Sequence, residues 1–99
     1  MLLRLVEARV AVYSAHTAFD SAASGINQLW ADRLGVAETQ ALIPCEAAAE
    51  NIADLGSGRF GNLGQAVALD ELALAAAKVV DATHVRRVGA ANQPVRRVA

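Results

Sequence analysis

A histidine and an aspartate four residues apart are the side chains best suited to chemistry in this 99-residue sequence. His16 and Asp20 follow segment 10–15, which is apolar at nearly every position, as expected of a strand covered on two faces. Loops at the carboxyl ends of strands are where α/β sheets place ligands, and imidazole with carboxylate suits Zn, Fe or Mn. The same pair also arises often by chance, so the spacing alone favours an ordinary loop pair over a metal site.

The glycine-rich segment 56–64, Gly-Ser-Gly-Arg-Phe-Gly-Asn-Leu-Gly, is a second candidate. Its four glycines predict a loop whose backbone amides could cradle an anion, with Arg59 and either Arg86 or Arg96 nearby. It matches neither the phosphate-binding loop, which ends in Gly-Lys-Ser/Thr, nor the tight strand–turn–helix of dinucleotide-binding folds. The spacing therefore favours a connector over an anion or nucleotide site.

Cys45 and His84 have simpler interpretations. Cys45 is the chain's one cysteine, which excludes an internal disulfide and fits a reducing, cytoplasmic location. Because free cysteines are usually buried, we expect a structural thiol rather than a nucleophile. His84 is expected to cap the end of the second helix.

Two arginine pairs, Arg86-Arg87 and Arg96-Arg97, lie on neighbouring predicted strands. Alternate strand residues face opposite sides, so we expect one solvated and one salt-bridged arginine in each pair rather than a basic patch.

The elements that must position these residues are read from apolar spacing. A helix is predicted from the apolar spacing of Ile26, Leu29, Trp30 and Leu34. Ser24 is its expected N-cap, and Gly35 is expected to follow its last turn. A second helix is predicted over 69–81. Strands are predicted over 10–15, 39–45, 85–88 and 95–98, with loops over 16–24 and 56–64 and a helical turn over 46–53. This pattern predicts an α/β fold in which helices pack on a mixed β-sheet.

Composition limits the class of protein. At 10.3 kDa the chain suits one domain, residues 1–99, and 55% apolar against 19% charged residues excludes a disordered tail. A net charge of −1 excludes the strongly basic surface that binds nucleic acid. No uninterrupted apolar run is long enough for a transmembrane helix, so no membrane partner is expected.

Several sequence motifs follow one another in a fixed order along the chain. The first is Tyr13-Ser14-Ala15-His16-Thr17-Ala18-Phe19-Asp20, followed by Gly25-Ile26-Asn27. The later ones are Gly58-Arg59-Phe60-Gly61-Asn62-Leu63, Leu69-Asp70-Glu71-Leu72, Val85-Arg86-Arg87-Val88-Gly89 and Val95-Arg96-Arg97-Val98-Ala99. Together these motifs resemble the NIF-three-like family of dinuclear metal-binding proteins. The resemblance covers nearly the whole chain and implies a partial NIF-three-like fold.

The resemblance also gives the first pair a role. It implies that His16 and Asp20 are ligands of a two-metal site, which reverses the interpretation from spacing alone. Two positions depart from the family pattern: residue 18, commonly Asn, is Ala, and residue 19, commonly Leu or Met, is Phe. Neither change removes a ligating atom.

Other family ligands have no counterpart here. The family uses a His-His pair upstream and a His-x-x-x-Glu motif downstream, whereas His84 is followed four residues later by Val88. We therefore expect a truncated, interior piece of a longer family protein, which binds a divalent metal weakly, has no catalysis by itself and self-associates. The alternative is a structural or oligomerisation module with no metal or catalytic role.

Overall fold

The computed structural model describes residues 2–45 and 55–99, which form helices packed on one sheet. The described elements are α1 (Leu2–Glu7), α2 (His16–Ser21), α3 (Ile26–Arg33), β1 (Val36–Pro44), β2 (Gly56–Ala68), α4 (Leu69–Val79) and β3 (Pro94–Val98). The predicted α/β class is confirmed. None of these helices is long and apolar enough to cross a membrane.

The sheet has the order β1-β2-β3, with the long strand β2 in the centre. Both pairings are antiparallel in the described residues, where the sequence predicted a mixed sheet. The β1–β2 register shifts between Ala37 and Gln40, where Glu38 has a positive φ of 54°. An irregularity at this position is typical of a β-bulge, which bends the strand and increases its twist.

The two predicted helices are confirmed as α3 and α4. Helix α3 ends as expected, because Gly35 follows it with a φ of 71° that glycine adopts without steric cost. Its N-cap is Gly25 rather than Ser24, and no side chain caps its first turn. Helix α4 carries Asp70 and Glu71 in its first turn, where the helix dipole favours negative charge.

The glycine-rich segment is a strand, which corrects the predicted loop. It forms most of β2. A Cβ at Gly56 would overlap the carbonyl oxygen of Ile43, and one at Gly61 would lie 2.5 Å from the carbonyl oxygen of Ala37. These glycines therefore mark close approach between strands rather than chain flexibility.

The region around the first motif also differs from prediction. Segment 10–15 is irregular and pairs with no strand in the described residues, and Tyr13 is 85% exposed. Apolar alternation forms a strand only where a neighbouring strand completes its hydrogen bonds. Segment 16–24, predicted as a loop, instead begins with the two-turn helix α2. Its small polar residues carry no period over six positions, so the pattern gave no helix signal.

The segment before β3 is irregular, which corrects the strand predicted over 85–88. Arg87 forms an ion pair with Asp70 and donates to the carbonyl oxygen of Gly89 at 2.5 Å, so this segment folds back toward α4. Val88 is 98% exposed. The last predicted strand is confirmed as β3.

Strand β1 contains the predicted strand 39–45 almost entirely and starts three residues earlier. Cys45 follows its last residue and is exposed, which corrects the expected buried thiol. Pro44 still pairs with Gly56, and the N–H of Cys45 donates to the carbonyl oxygen of Leu55 at 3.0 Å, so the cysteine lies at the exposed end of this strand pair. The helical turn predicted over 46–53 lies outside the described residues.

The buried core is small for a chain of this length. Its buried cluster comprises Ala31, Val36 and Leu63, one from each of α3, β1 and β2. The chain exposes 7900 Å², whereas a compact monomer of its mass exposes roughly 5400 Å². Its radius of gyration is 17.7 Å, against about 13 Å for a compact domain of this length. Much apolar surface is consequently left uncovered.

Candidate metal site

Helix α2 brings the two predicted ligands to one helix face. His16 is its first residue and Asp20 lies one turn later. Side chains four residues apart on a helix are neighbours, with Cβ atoms about 5–6 Å apart. His16 is exposed and Asp20 is partly buried, so an ion can approach this face from solvent.

Close backbone packing and the side chain of Asn27 are the local contacts that hold the turn between α2 and α3. Asn27 donates its Nδ2 hydrogen to the carbonyl oxygen of Asp20 at 2.9 Å. Gly25 donates its N–H to the carbonyl oxygen of Ala22 at 2.9 Å, and a Cβ at Gly25 would overlap the carbonyl oxygen of Phe19. The Gly-x-Asn sequence therefore fixes the helix that carries the candidate ligands.

Arg59 anchors the same turn from the sheet. Its side chain lies on β2 and is only 6% exposed. The guanidinium donates to the carbonyl oxygens of Ala22, Gly56 and Gly58 and to Oε1 of Gln28. The backbone amides of this glycine-rich segment lie in a sheet, and its arginine binds internal acceptors. This arrangement gives no support to the alternative of an anion cradle, which the spacing had already disfavoured.

The donor chemistry of His16 and Asp20 fits a divalent cation but supplies only part of a site. Imidazole nitrogen and carboxylate oxygen both ligate Zn, Fe and Mn. A two-metal centre needs more donors than these two side chains provide. Within residues 2–45 and 55–99, no three His, Cys, Asp or Glu side chains group together as a metal-holding cluster.

The structure places the remaining candidate residues away from α2. His84 does not cap a helix, since α4 ends at Val79, and its Nδ1 lies 2.9 Å from Oγ1 of Thr83. Arg87 is salt-bridged to Asp70, as expected for one member of its pair. Arg97 stacks over the ring of Phe60, with its Cζ 4.8 Å from the ring centroid.

A cleft of about 340 Å³ lies between α3 and the sheet. Its lining is mostly apolar and includes Trp30, Leu34, Val36, Leu42 and Val98. Neither His16 nor Asp20 lines it. Trp30, which lines the cleft, is only partly buried, and the candidate metal ligands lie at the surface rather than in this cleft.

Comparison with known proteins decides the family. The sequence profile of the Duf34/NIF3 (NGG1p interacting factor 3) family matches residues 1–99. The chain belongs to the Duf34/NIF3 family. Among its relatives are NIF3-like protein 1 of Rattus norvegicus, 43% identical over 47 residues, and that of Mus musculus, 45% identical over 47 residues. Each alignment covers 48% of this chain and 12% of the relative.

The fold of this Duf34/NIF3 chain is also found in solved structures. The Staphylococcus aureus hypothetical protein SA1388 superposes with a TM-score of 0.78 at 16% identity, covering 97% of this chain and 42% of that chain. A second structure of SA1388 also gives a TM-score of 0.78, at 14% identity and 44% coverage of that chain. The chain therefore spans less than half the length of SA1388. At this identity the likeness shows the fold alone.

Sequence reasoning missed the residues that hold α2 in this Duf34/NIF3 chain. Asn27 and Arg59 lie in the motifs quoted for the resemblance, but their spacing gave no sign that both bind the end of the same helix. The available signal was the glycine near each of them, Gly25 two residues before Asn27 and Gly58 next to Arg59, because glycine within an element often marks the close approach of another backbone.

Proposed function

We propose that this chain contributes His16 and Asp20 as ligands to a divalent metal site that binds Zn, Fe or Mn. One observation carries the proposal: both side chains lie on one face of α2, a helix that Asn27 anchors through the carbonyl of Asp20. Family membership supports it, since the resemblance to the NIF-three-like motif implies the same two ligands. A bound divalent cation supplies Lewis acidity.

The same proposal limits what the chain does by itself. Two side chains and water hold a cation weakly, because stable two-metal centres use more ligands and an ordered set of supporting hydrogen bonds. We propose that further ligands come from other segments of a longer protein or from a second copy. In this proposal the chain alone does not catalyse a reaction.

The two histidines of the chain allow a direct test, because His84 is an internal reference for His16. In protein with ¹⁵N-labelled histidines, Zn²⁺ is expected to shift the imidazole signals of His16 and leave those of His84 in place. Asp20→Asn is expected to weaken this response by about tenfold or more.

The matched control is His84→Gln, which should leave the Zn²⁺ response of His16 unchanged. The proposal is wrong if Zn²⁺ does not move the His16 signals of the wild-type chain. An equal response in wild type and Asp20→Asn would remove Asp20 from the ligand set.

We propose, as a second function of this chain, that it self-associates through strand β1. In the described residues β1 pairs only with β2, so its other edge has free backbone groups. Leu42 and Ile43 on this strand are 53% and 66% exposed. The chain exposes roughly 2500 Å² more than a compact monomer of its mass, which exceeds the roughly 800 Å² that each partner buries in a standard interface.

Ile43→Lys tests this second proposal, because a lysine on an edge strand opposes pairing with another chain. We expect wild-type protein to sediment as an oligomer and Ile43→Lys to shift toward the monomer. Val88→Lys is the matched control, since Val88 is 98% exposed and lies outside the sheet. A monomeric wild-type chain, or equal dissociation by both variants, would contradict an interface at β1.

We also propose a cytoplasmic location. The support is the lone, exposed Cys45, which forms no internal disulfide and is typical of a reducing compartment.

A further inference from the structure

We infer that Arg59 is the positioning residue for the candidate ligand helix: it holds α2 in the orientation that presents His16 and Asp20 together. The inference rests on the metal site proposed above. Arg59 lies on a different element, β2. None of its hydrogen bonds within the described residues reaches His16 or Asp20.

The first step is the bond from Arg59 to the end of α2. Its Nη2 donates to the carbonyl oxygen of Ala22 at 2.9 Å, and Ala22 is the C-cap of α2. The last carbonyls of a helix have no partner within the helix, and a positive charge at a helix C-terminus is stabilising. The N–H of Gly25 donates to the same oxygen, so Arg59 adds a second donor and a positive charge at the end of α2.

The second step is the rigidity of the arginine itself. Nη1 donates to the carbonyl oxygens of Gly56 at 2.9 Å and Gly58 at 2.7 Å, both on β2. Nε donates to Oε1 of Gln28 on α3 at 3.2 Å. Since a planar guanidinium cannot turn without breaking all these bonds, it fixes the position of its third nitrogen.

Gln28 extends the same network to β1 and along α3. Its Oε1 also accepts from Oγ1 of Thr39 at 3.0 Å, and its Nε2 donates to Oδ1 of Asp32 at 2.8 Å. The arginine therefore bonds directly to β2 and α3, and through Gln28 to β1, while it binds the end of α2.

The third step is that α2 needs an external anchor. A helix of six residues is far shorter than one that is stable alone in water. Asn27 holds the carbonyl oxygen of Asp20 and Arg59 holds that of Ala22, so two donors from different elements fix the last turn. Fixing this turn sets the rotation of α2 about its axis, and with it the face on which His16 and Asp20 lie.

Arg59→Lys tests the inference, because lysine keeps the positive charge and loses the planar fork. In folded protein, the Zn²⁺ response of His16 is expected to weaken by about tenfold or more. Hydrogen exchange of the Phe19 and Ala22 amides should become faster, while exchange within α4 stays unchanged. Arg87→Lys is the matched control, an arginine that pairs with Asp70 on α4, and should change neither measurement.

Gln28→Ala provides a second variant, since alanine suits a helix position; it removes the acceptor of Arg59 Nε together with the hydrogen bonds of Gln28 to Thr39 and Asp32. It should change the same two measurements in the same direction. The inference is wrong if folded Arg59→Lys keeps the wild-type Zn²⁺ response of His16 and the wild-type exchange rates. If Arg59→Lys does not fold, the same result in Gln28→Ala would overturn the inference.

The two proposals fail in different ways. A wild-type chain whose His16 does not respond to Zn²⁺ overturns the metal site, and with it the assignment of Arg59 as a positioning residue for ligands. In that case, faster amide exchange in α2 of Arg59→Lys would show that Arg59 anchors the helix without a role in metal binding. A wild-type response that survives Arg59→Lys unchanged overturns the inference and leaves the metal site standing.

Discussion

Gly25→Ala is expected to lower the free energy of unfolding by about 3 kcal/mol. A Cβ at this position would overlap the carbonyl oxygen of Phe19 and lie 3.0 Å from that of Ala22. Both are backbone atoms of the α2–α3 turn, so relief requires moving the chain rather than rotating a side chain. The φ of −82° is one that alanine adopts readily, so the cost comes from the contact and not from backbone strain.

Urea unfolding followed by fluorescence of Trp30, the single tryptophan, measures this cost at a fixed protein concentration. The matched control is Gly64→Ala, where a Cβ would meet nothing within 4 Å and the change should stay within about 0.5 kcal/mol. Equal stability of the two variants would show that the α2–α3 turn relaxes freely. The Zn²⁺ response of His16 should weaken in Gly25→Ala alone.

Arg59→Met is expected to lower the free energy of unfolding by about 3 kcal/mol or more. Methionine fills a similar volume but leaves the carbonyl oxygens of Ala22, Gly56 and Gly58 without the donors that Arg59 provides. Arg59 is 6% exposed, so water cannot replace these donors without opening the packing between α3 and the sheet.

The comparison is Arg87→Met, which removes an arginine from a more exposed ion pair with Asp70. Exposed ion pairs contribute little, so this variant should lose about 1 kcal/mol or less. The same urea measurement checks both variants. If the two arginine replacements cost the same, the hydrogen bonds of Arg59 would not be a main support of the fold.

The parts of the fold that could be predicted are those with a strong local pattern. Helix α3 follows from apolar residues at helical spacing and from Gly35 after its last turn, and α4 follows in the same way. Strands β1 and β3 were predicted because short apolar runs lie between turn residues. In the helices the deciding interactions are close in sequence; in the two strands the apolar pattern is local, although their hydrogen bonds join residues distant in sequence.

The wrong predictions have a different cause, which is contact with residues on other elements. Segment 56–64 was predicted as a loop because glycine usually marks one, but Gly56 and Gly61 are required by close approach to β1, a strand distant in sequence. Helix α2 has too few residues to show a period and is held by Asn27 and Arg59 from two other elements. Segment 10–15 has the apolar content of a strand, and no strand in the described residues pairs with it.

The same distinction between local sequence patterns and contacts with distant residues applies to the candidate site. The sequence by itself determined the family, the α/β class and the identity of the two candidate ligands, because ordered motifs and helical periods are properties of residue type and spacing. Only the tertiary structure decided that His16 and Asp20 share one face of a short helix, and that a buried arginine of the glycine-rich strand holds that helix in place. Those arrangements depend on hydrogen bonds between residues as many as 37 positions apart, which no local pattern encodes.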